Sequence, residues 1–197
     1  MAIKSEIRDI VTNVQVPLPG DPLLKYYDSA PVILILSLFY ALCSQLVLKL
    51  PFFVVPISIQ PLPLFIAVEL FGWHAVWAFI LYYVQGFLGA PFFAHGGSGV
   101  VHIMGPTGGY LIGMFFAMVF LSAVRPLSSS SWAVTIFKLI IANIILYGIG
   151  LYQLSHFIPS ERLLEAGLYP FIIGDTLKMI TVAYCTQYSA AVRPAPK

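Results

Sequence analysis

The chain has 197 residues, of which 59% are hydrophobic and only 9% charged, with a formal net charge of +2. Soluble domains carry about 25% charged residues, so this composition excludes a water-soluble fold, and so small a net charge gives no footing for nucleic acid. A hydrocarbon core of roughly 30 Å takes about 20 apolar residues per helix, which leaves room for about five to seven crossings and none for a separate soluble domain.

Residues 1–30 hold Lys4, Glu6, Arg8, Asp9, Asp21, Lys25 and Asp28 among prolines and lack the apolar centre of a signal peptide. They are expected to remain as a cytoplasmic segment. Ile3, Ile7, Ile10, Val11 and Val14 recur at helical spacing, which predicts a short amphipathic helix on the membrane surface, a disordered tail being the alternative. The first crossing is expected over 31–50. Within it Ser37-x-x-x-Ala41 offers a small-residue groove, for a partner helix or for packing inside the subunit. Cys43 here and Cys185 in the last crossing sit in apolar stretches as small hydrophobes and are assigned neither a disulfide nor a metal.

The second crossing, 52–71, is interrupted by Pro56, Pro61 and Pro63 with Ser58 and Gln60 among them. A regular helix from about residue 62 to 71 rises only about 15 Å, half of the hydrocarbon core. Irregular backbone is tolerated at that depth only where it is buried in protein or lines a polar cavity, which makes 55–60 a cavity candidate. Further crossings are expected over 73–91, 106–124, 132–154 and 170–188, and residues 31–190 together form one transmembrane domain, followed by a 191–197 tail.

The expected fold is therefore all-α: six transmembrane helices, a proline-broken loop before the second, and the N-terminal amphipathic helix. With both termini cytoplasmic, Lys4, Arg8, Lys25, Arg125, Lys138, Arg193 and Lys197 fall inside and Lys49 and Arg162 outside, while Lys178 completes the ten basic residues within the last helix. That excess fits the positive-inside rule. It places the broken loop, the glycine-rich 92–105 loop, the 161–167 loop and the Asp175–Lys178 end of the last helix on one outer face.

Asp175 and Lys178, three apart on a helix, share a face and can pair. Intramembrane charges normally face a polar interior and mark a functional site, the alternative being a structural ion pair. In the glycine-rich stretch, Pro106 suits a first helical turn and the N–H groups there could receive an anion. Gly105, Gly109 and Gly113 fit helix packing and ligand approach equally well. Gly96-Gly97-Ser98-Gly99 is similar to the G-x-S-G motif of intramembrane serine proteases, but the histidines offered as base are poorly placed for Ser98: His95 and His102 share its loop, and His74 and His156 lie at helix ends. The histidines show no metal-ligand spacing. No G-x-x-x-x-G-K-[ST] loop is present, so any dependence on ATP belongs to partners.

The Val55-Pro56-Ile57-Ser58-Ile59-Gln60-Pro61 segment, the Pro91-Phe92-Phe93-Ala94-x-Gly96-Gly97-x-Gly99 loop, the run Gly105-Pro106-Thr107-Gly108-Gly109-Tyr110-Leu111-x-Gly113 and Gly174-Asp175-x-x-Lys178 resemble, in order, those of BioY, the biotin-specific S component of energy-coupling-factor (ECF) transporters. The resemblance implies six helices, an outward-facing pocket, biotin as substrate, and Asp175 and Lys178 against its bicyclic ring. It also implies a transmembrane coupling protein and a pair of ATP-binding subunits as partners in the plasma (inner) membrane lipid, with no enzymatic activity and no cofactor. Candidate substrate-binding residues are Gln60, Phe92, Ala94, His95, Gly97, Tyr110, Asp175 and Lys178. A stand-alone vitamin carrier is the second reading, and an intramembrane serine hydrolase the remote third.

Overall fold

The computed structural model describes residues 29–48, 55, 57–125 and 131–192. The expected N-terminal amphipathic helix, residues 51–54 and 56 of the proline-broken stretch and the 193–197 end of the tail lie outside the described residues. The architecture is a helical bundle with one small β ladder.

Helix α1 (Ser29–Ser44) stops well before residue 50. Beyond it β1 (Val47–Leu48) pairs antiparallel with β2 (Ile57–Ser58), Val47 opposite Ser58. The described residues are otherwise helical or in turns, as expected, and the ladder is a local exception whose physical reason is the one that marked this stretch as unusual: backbone that leaves the helix at membrane depth must still find hydrogen-bond partners. α2 (Pro61–Phe71) follows, short as expected, with Pro61 in its first turn where a missing N–H is no loss. At its far end Arg125 caps the open carbonyls, Nε to Glu69 O at 3.0 Å and Nη2 to Leu70 O at 2.8 Å. Gly72, at φ 57°, turns the chain directly into α3 (Trp73–Phe87).

The loop expected over 92–105 contains a 3-10 turn (Ala94–Gly96) and a short helix, α4 (Gly99–Ile103). α5 (Gly108–Ala123) begins after Thr107, so Pro106 precedes the helix instead of occupying its first turn. α6 (Trp132–Leu154) has the expected bounds. The 161–167 loop is a helix, α7 (Ser160–Gly167), and α8 (Tyr169–Val192) runs past the expected end at 188 and through the assumed domain boundary at 190.

Among the described residues α5 and α6 pack against each other most extensively. A β-carbon at Gly113 would stand 2.5 Å from the Leu146 carbonyl oxygen, and one at Gly109 2.6 Å from Gln153 Cβ. Helix packing therefore accounts for these two glycines. α1 lies on α3, and Ser37 and Ala41 are buried on the α1 face that carries Tyr40, whose hydroxyl reaches Ala75 O of α3. The small-residue groove is thus used within the subunit.

Polarity is inverted relative to a soluble bundle. α1 buries Ser37, Tyr40 and Ser44 while Leu42 is 68% exposed, and α6 buries Thr135, Lys138 and Asn143 while Ile144 is 65% exposed. Apolar faces turned outward and polar groups paired within are what lipid demands. Among the described residues α6 is the one helix both long and apolar enough to cross a bilayer by itself, with a mean hydropathy of 2.1; α1, α2 and α5 are apolar but shorter.

Candidate functional site: a cavity beside a buried ion pair

One turn apart on α8, Lys178 Nζ and Asp175 Oδ1 are 2.7 Å apart, and both side chains are largely buried. Lys178 also donates to Ser58 O of β2 at 2.7 Å. The Tyr147 hydroxyl of α6 donates to the other Asp175 oxygen, Oδ2. Three elements thus meet at the ion pair, β2 through Lys178 and α6 through Asp175. Hydrogen bonds to a charged group contribute about 1.5–3 kcal/mol each, so these contacts fix the geometry of the pair.

This cluster lines a small cleft of about 70 Å³, with the concave, mostly apolar wall and few polar groups typical of small-ligand sites. Its walls are apolar at Leu111, Met114, Leu146 and Phe171, and the loop side supplies Ala94, His102 and Thr107. Tyr147 stands edge-on to Tyr110, ring centroids 6.1 Å apart, and Tyr110 is fixed in turn by its hydroxyl donating to Gly167 O at 2.9 Å. Gln60 enters from the start of α2, held by its backbone N–H on Ser58 Oγ at 3.0 Å and by Nε2 on the Tyr82 hydroxyl at 3.1 Å.

The loop side is built by side chains at the end of α1. Ser44 Oγ donates to the Phe92 carbonyl. Gln45 spans the turn, with Nε2 donating to Phe93 O at 3.0 Å and Oε1 accepting from the Gly96 N–H at 2.9 Å. Phe93 is fully buried, and the His102 ring stacks on it with centroids 5.1 Å apart and 24° between planes. A β-carbon at Gly97 would lie 2.2 Å from His102 Nδ1, so glycine there is what gives the imidazole its place. Burial, and secondarily the neighbouring His95, push the His102 imidazole below the usual histidine value.

Of the candidate residues, Gln60, Ala94, Tyr110, Asp175 and Lys178 share this cavity wall. Phe92, His95 and Gly97 are not in it. Phe92 contributes its carbonyl to the α1 contact, Gly97 backs the His102 ring, and His95 is exposed in the left-handed backbone region at φ 57°. The amino end of α5 is less open to an anion than its sequence suggests, because the Gly108 and Tyr110 N–H groups already bond the Gly105 and Thr107 carbonyls. Sequence reasoning passed over Tyr147 and His102. The α6 sequence carries both Tyr147 and Tyr152 and holds no local signal for which of them meets Asp175.

An inside-out helical bundle with a closed-off polar pair at the wall of one cleft defines a membrane-embedded small-ligand binder. The fold is that of an S component: a crystal structure of the S-component for biotin from an ECF-type ABC transporter superposes with a TM-score of 0.73, at 22% identity, over 89% of this chain and 95% of that one. The sequence pattern of the BioY family matches residues 21–195, and the chain belongs to that family, a family of membrane transporters. Among relatives, a protein of Pyrococcus horikoshii named a probable biotin transporter BioY is 33% identical over 106 residues, 52% of this chain and 59% of that protein, so under two thirds of its length is spanned. Biotin transporter BioY2 of Lactococcus lactis is 28% identical over 68% of this chain and 76% of that one, and biotin transporter BioY of Thermotoga maritima 27% over 69% and 81%.

Proposed function

We propose that this chain captures biotin in the cleft beside Asp175 and Lys178 and carries it across the plasma membrane as the substrate-binding subunit of an ECF transporter. The observation that carries the reading is the unfilled hydrogen-bonding capacity of that pair. A carboxylate has about four acceptor positions; Asp175 uses one on Lys178 and one on Tyr147, which leaves two for the two ureido N–H groups of biotin. Lys178 has three donors and uses two, on Asp175 and Ser58, which leaves one for the ureido carbonyl. Phe171, Leu146 and Met114 suit the sulfur-containing ring and the aliphatic chain.

The same reading takes α1, the α2 segment with its ladder, α3, α5, α6 and α8 as six crossings with both termini cytoplasmic. Lys138 is bound to Glu69 inside the bundle and drops out of the charge count, but the remaining basic residues keep the same bias. A transmembrane coupling protein and a pair of ATP-binding subunits would supply the energy, since the chain has no phosphate-binding loop.

Thermal stability of the detergent-solubilised protein tests the substrate. Ligand bound only to the folded state adds about 4 kcal/mol at a thousandfold excess over Kd, so biotin is expected to raise the melting temperature clearly. A shift with riboflavin or thiamine and none with biotin would contradict the assignment.

A further inference from the structure

His102 stands apart from the other polar groups of the cleft. The Lys178 ammonium is engaged by Asp175 and Ser58, the Tyr147 hydroxyl by Asp175, and the Tyr110 hydroxyl by Gly167. Among the described residues the His102 imidazole has no hydrogen-bond partner, yet it is held in place by Phe93 on its face and Gly97 along its Nδ1 edge. The ring lines the cavity, and its Nε2 is uncommitted among the described residues. A ligand carboxylate cannot sit against Asp175 without repulsion, and the Asp175–Lys178 pair is neutral as a unit. The cation for such a carboxylate must come from elsewhere in the wall.

We propose that His102 receives the carboxylate end of the substrate and takes up a proton as the carboxylate seats, so that binding is coupled to protonation at this ring. The inference rests on the reading that biotin fills the cleft. Among titratable and charged groups, His95 acts on the ring from its own loop, Tyr110 of α5, Tyr147 of α6 and the Asp175–Lys178 pair of α8 line the same cleft, and Tyr83 of α3 packs on Phe93, the ring on which His102 stacks. The Lys178 ammonium is already paired with Asp175, and His95 opposes protonation of His102 in the empty site. An arriving carboxylate reverses that balance, because an adjacent opposite charge favours the ionised form. The sign follows: the bound state holds the proton to higher pH than the free state, so affinity rises as pH falls through the bound-state value, by at most tenfold per pH unit for one proton.

Titration calorimetry between pH 5.5 and 8.5, in buffers of different ionisation enthalpy, tests this with biotin and with biotinamide, which keeps the ring system and lacks the charge. Expected are uptake of up to one proton with biotin, none with biotinamide, and for His102→Gln a loss of proton uptake with at least tenfold weaker biotin binding and unchanged biotinamide binding. Biotin binding without proton uptake, or equal weakening of both ligands by His102→Gln, overturns the proposal while leaving the substrate assignment standing. Failure of the wild-type protein to bind either ligand removes both. Should His102→Gln not fold, the wild-type comparison of the two ligands decides alone.

Discussion

Among the described residues two lysine–carboxylate pairs lie inside this bundle and differ in almost everything but chemistry. Glu69 and Lys138 join α2 to α6 at 3.0 Å, their side chains 2% and 4% exposed. Asp175 and Lys178 lie on a single helix at 2.7 Å, 8% and 15% exposed, at the wall of a cleft. The first pair ties together segments far apart in sequence, beside the Arg125 cap on the end of α2. The second needs no partner helix to form, and what surrounds it is a tyrosine, a strand carbonyl and empty space. A buried pair is weak evidence for stability and equally weak evidence for function. Its remaining hydrogen-bonding capacity and its access to a cavity are what separate the two roles.

Breaking the inner pair should give the largest effect on folding. Removing one partner of a buried pair costs about 3–5 kcal/mol, so Glu69→Gln is expected to lower the unfolding free energy by that amount in a denaturant titration, while the folded fraction binds biotin within about twofold of wild type. A large loss of affinity without loss of stability would erase the distinction between the pairs. At the cleft, Tyr147→Phe removes one hydrogen bond to a carboxylate, a contribution of about 1.5–3 kcal/mol; calorimetry should show biotin affinity reduced roughly 10- to 100-fold.

Gly113→Ala sharpens the contrast from the packing side. Its β-carbon has no room against the Leu146 backbone, and overpacking costs about 1–3 kcal/mol, so stability should fall with the ligand's Kd little changed. The smallest effect is a slope of stability with pH. The His102 imidazole titrates lower when folded than its ordinary value of 6.5, so its contribution is present in full above that value and is lost as pH falls through the folded one. Melting curves from pH 7.5 to 5 should show the decline, and His102→Gln should flatten it.

How much of this was legible in the sequence depends on whether the signal is local. The 132–154 helix is a long apolar run between polar ends, and Asp175–Lys178 is a spacing of three, so both can be read from neighbouring residues. The short α2 follows from prolines whose consequences are fixed within a turn. By contrast, Val47 pairs with Ser58 across a proline-broken stretch. Glu69 meets Lys138 across three intervening helices, and Tyr147 meets Asp175 from another helix. These meetings are set by packing, and nothing at either position marks its partner. His102 was legible only as a histidine in a glycine-rich loop; its place on Phe93 and against Gly97 comes from a turn that Gln45 and Ser44 hold from the end of α1.

The central claim is that Asp175 and Lys178 serve the ligand and not the fold. Its most direct test is the double variant Asp175→Asn/Lys178→Met, measured for thermal stability and for biotin affinity in the same preparation beside the two single variants. Replacing both members of a buried pair can be nearly neutral for stability, whereas leaving one unpaired is not. The account predicts that each single variant is destabilised, that the double variant regains a melting temperature close to wild type, and that biotin binding stays lost in all three. Recovery of affinity together with stability in the double variant would contradict it and make this pair a second structural clamp like Glu69–Lys138.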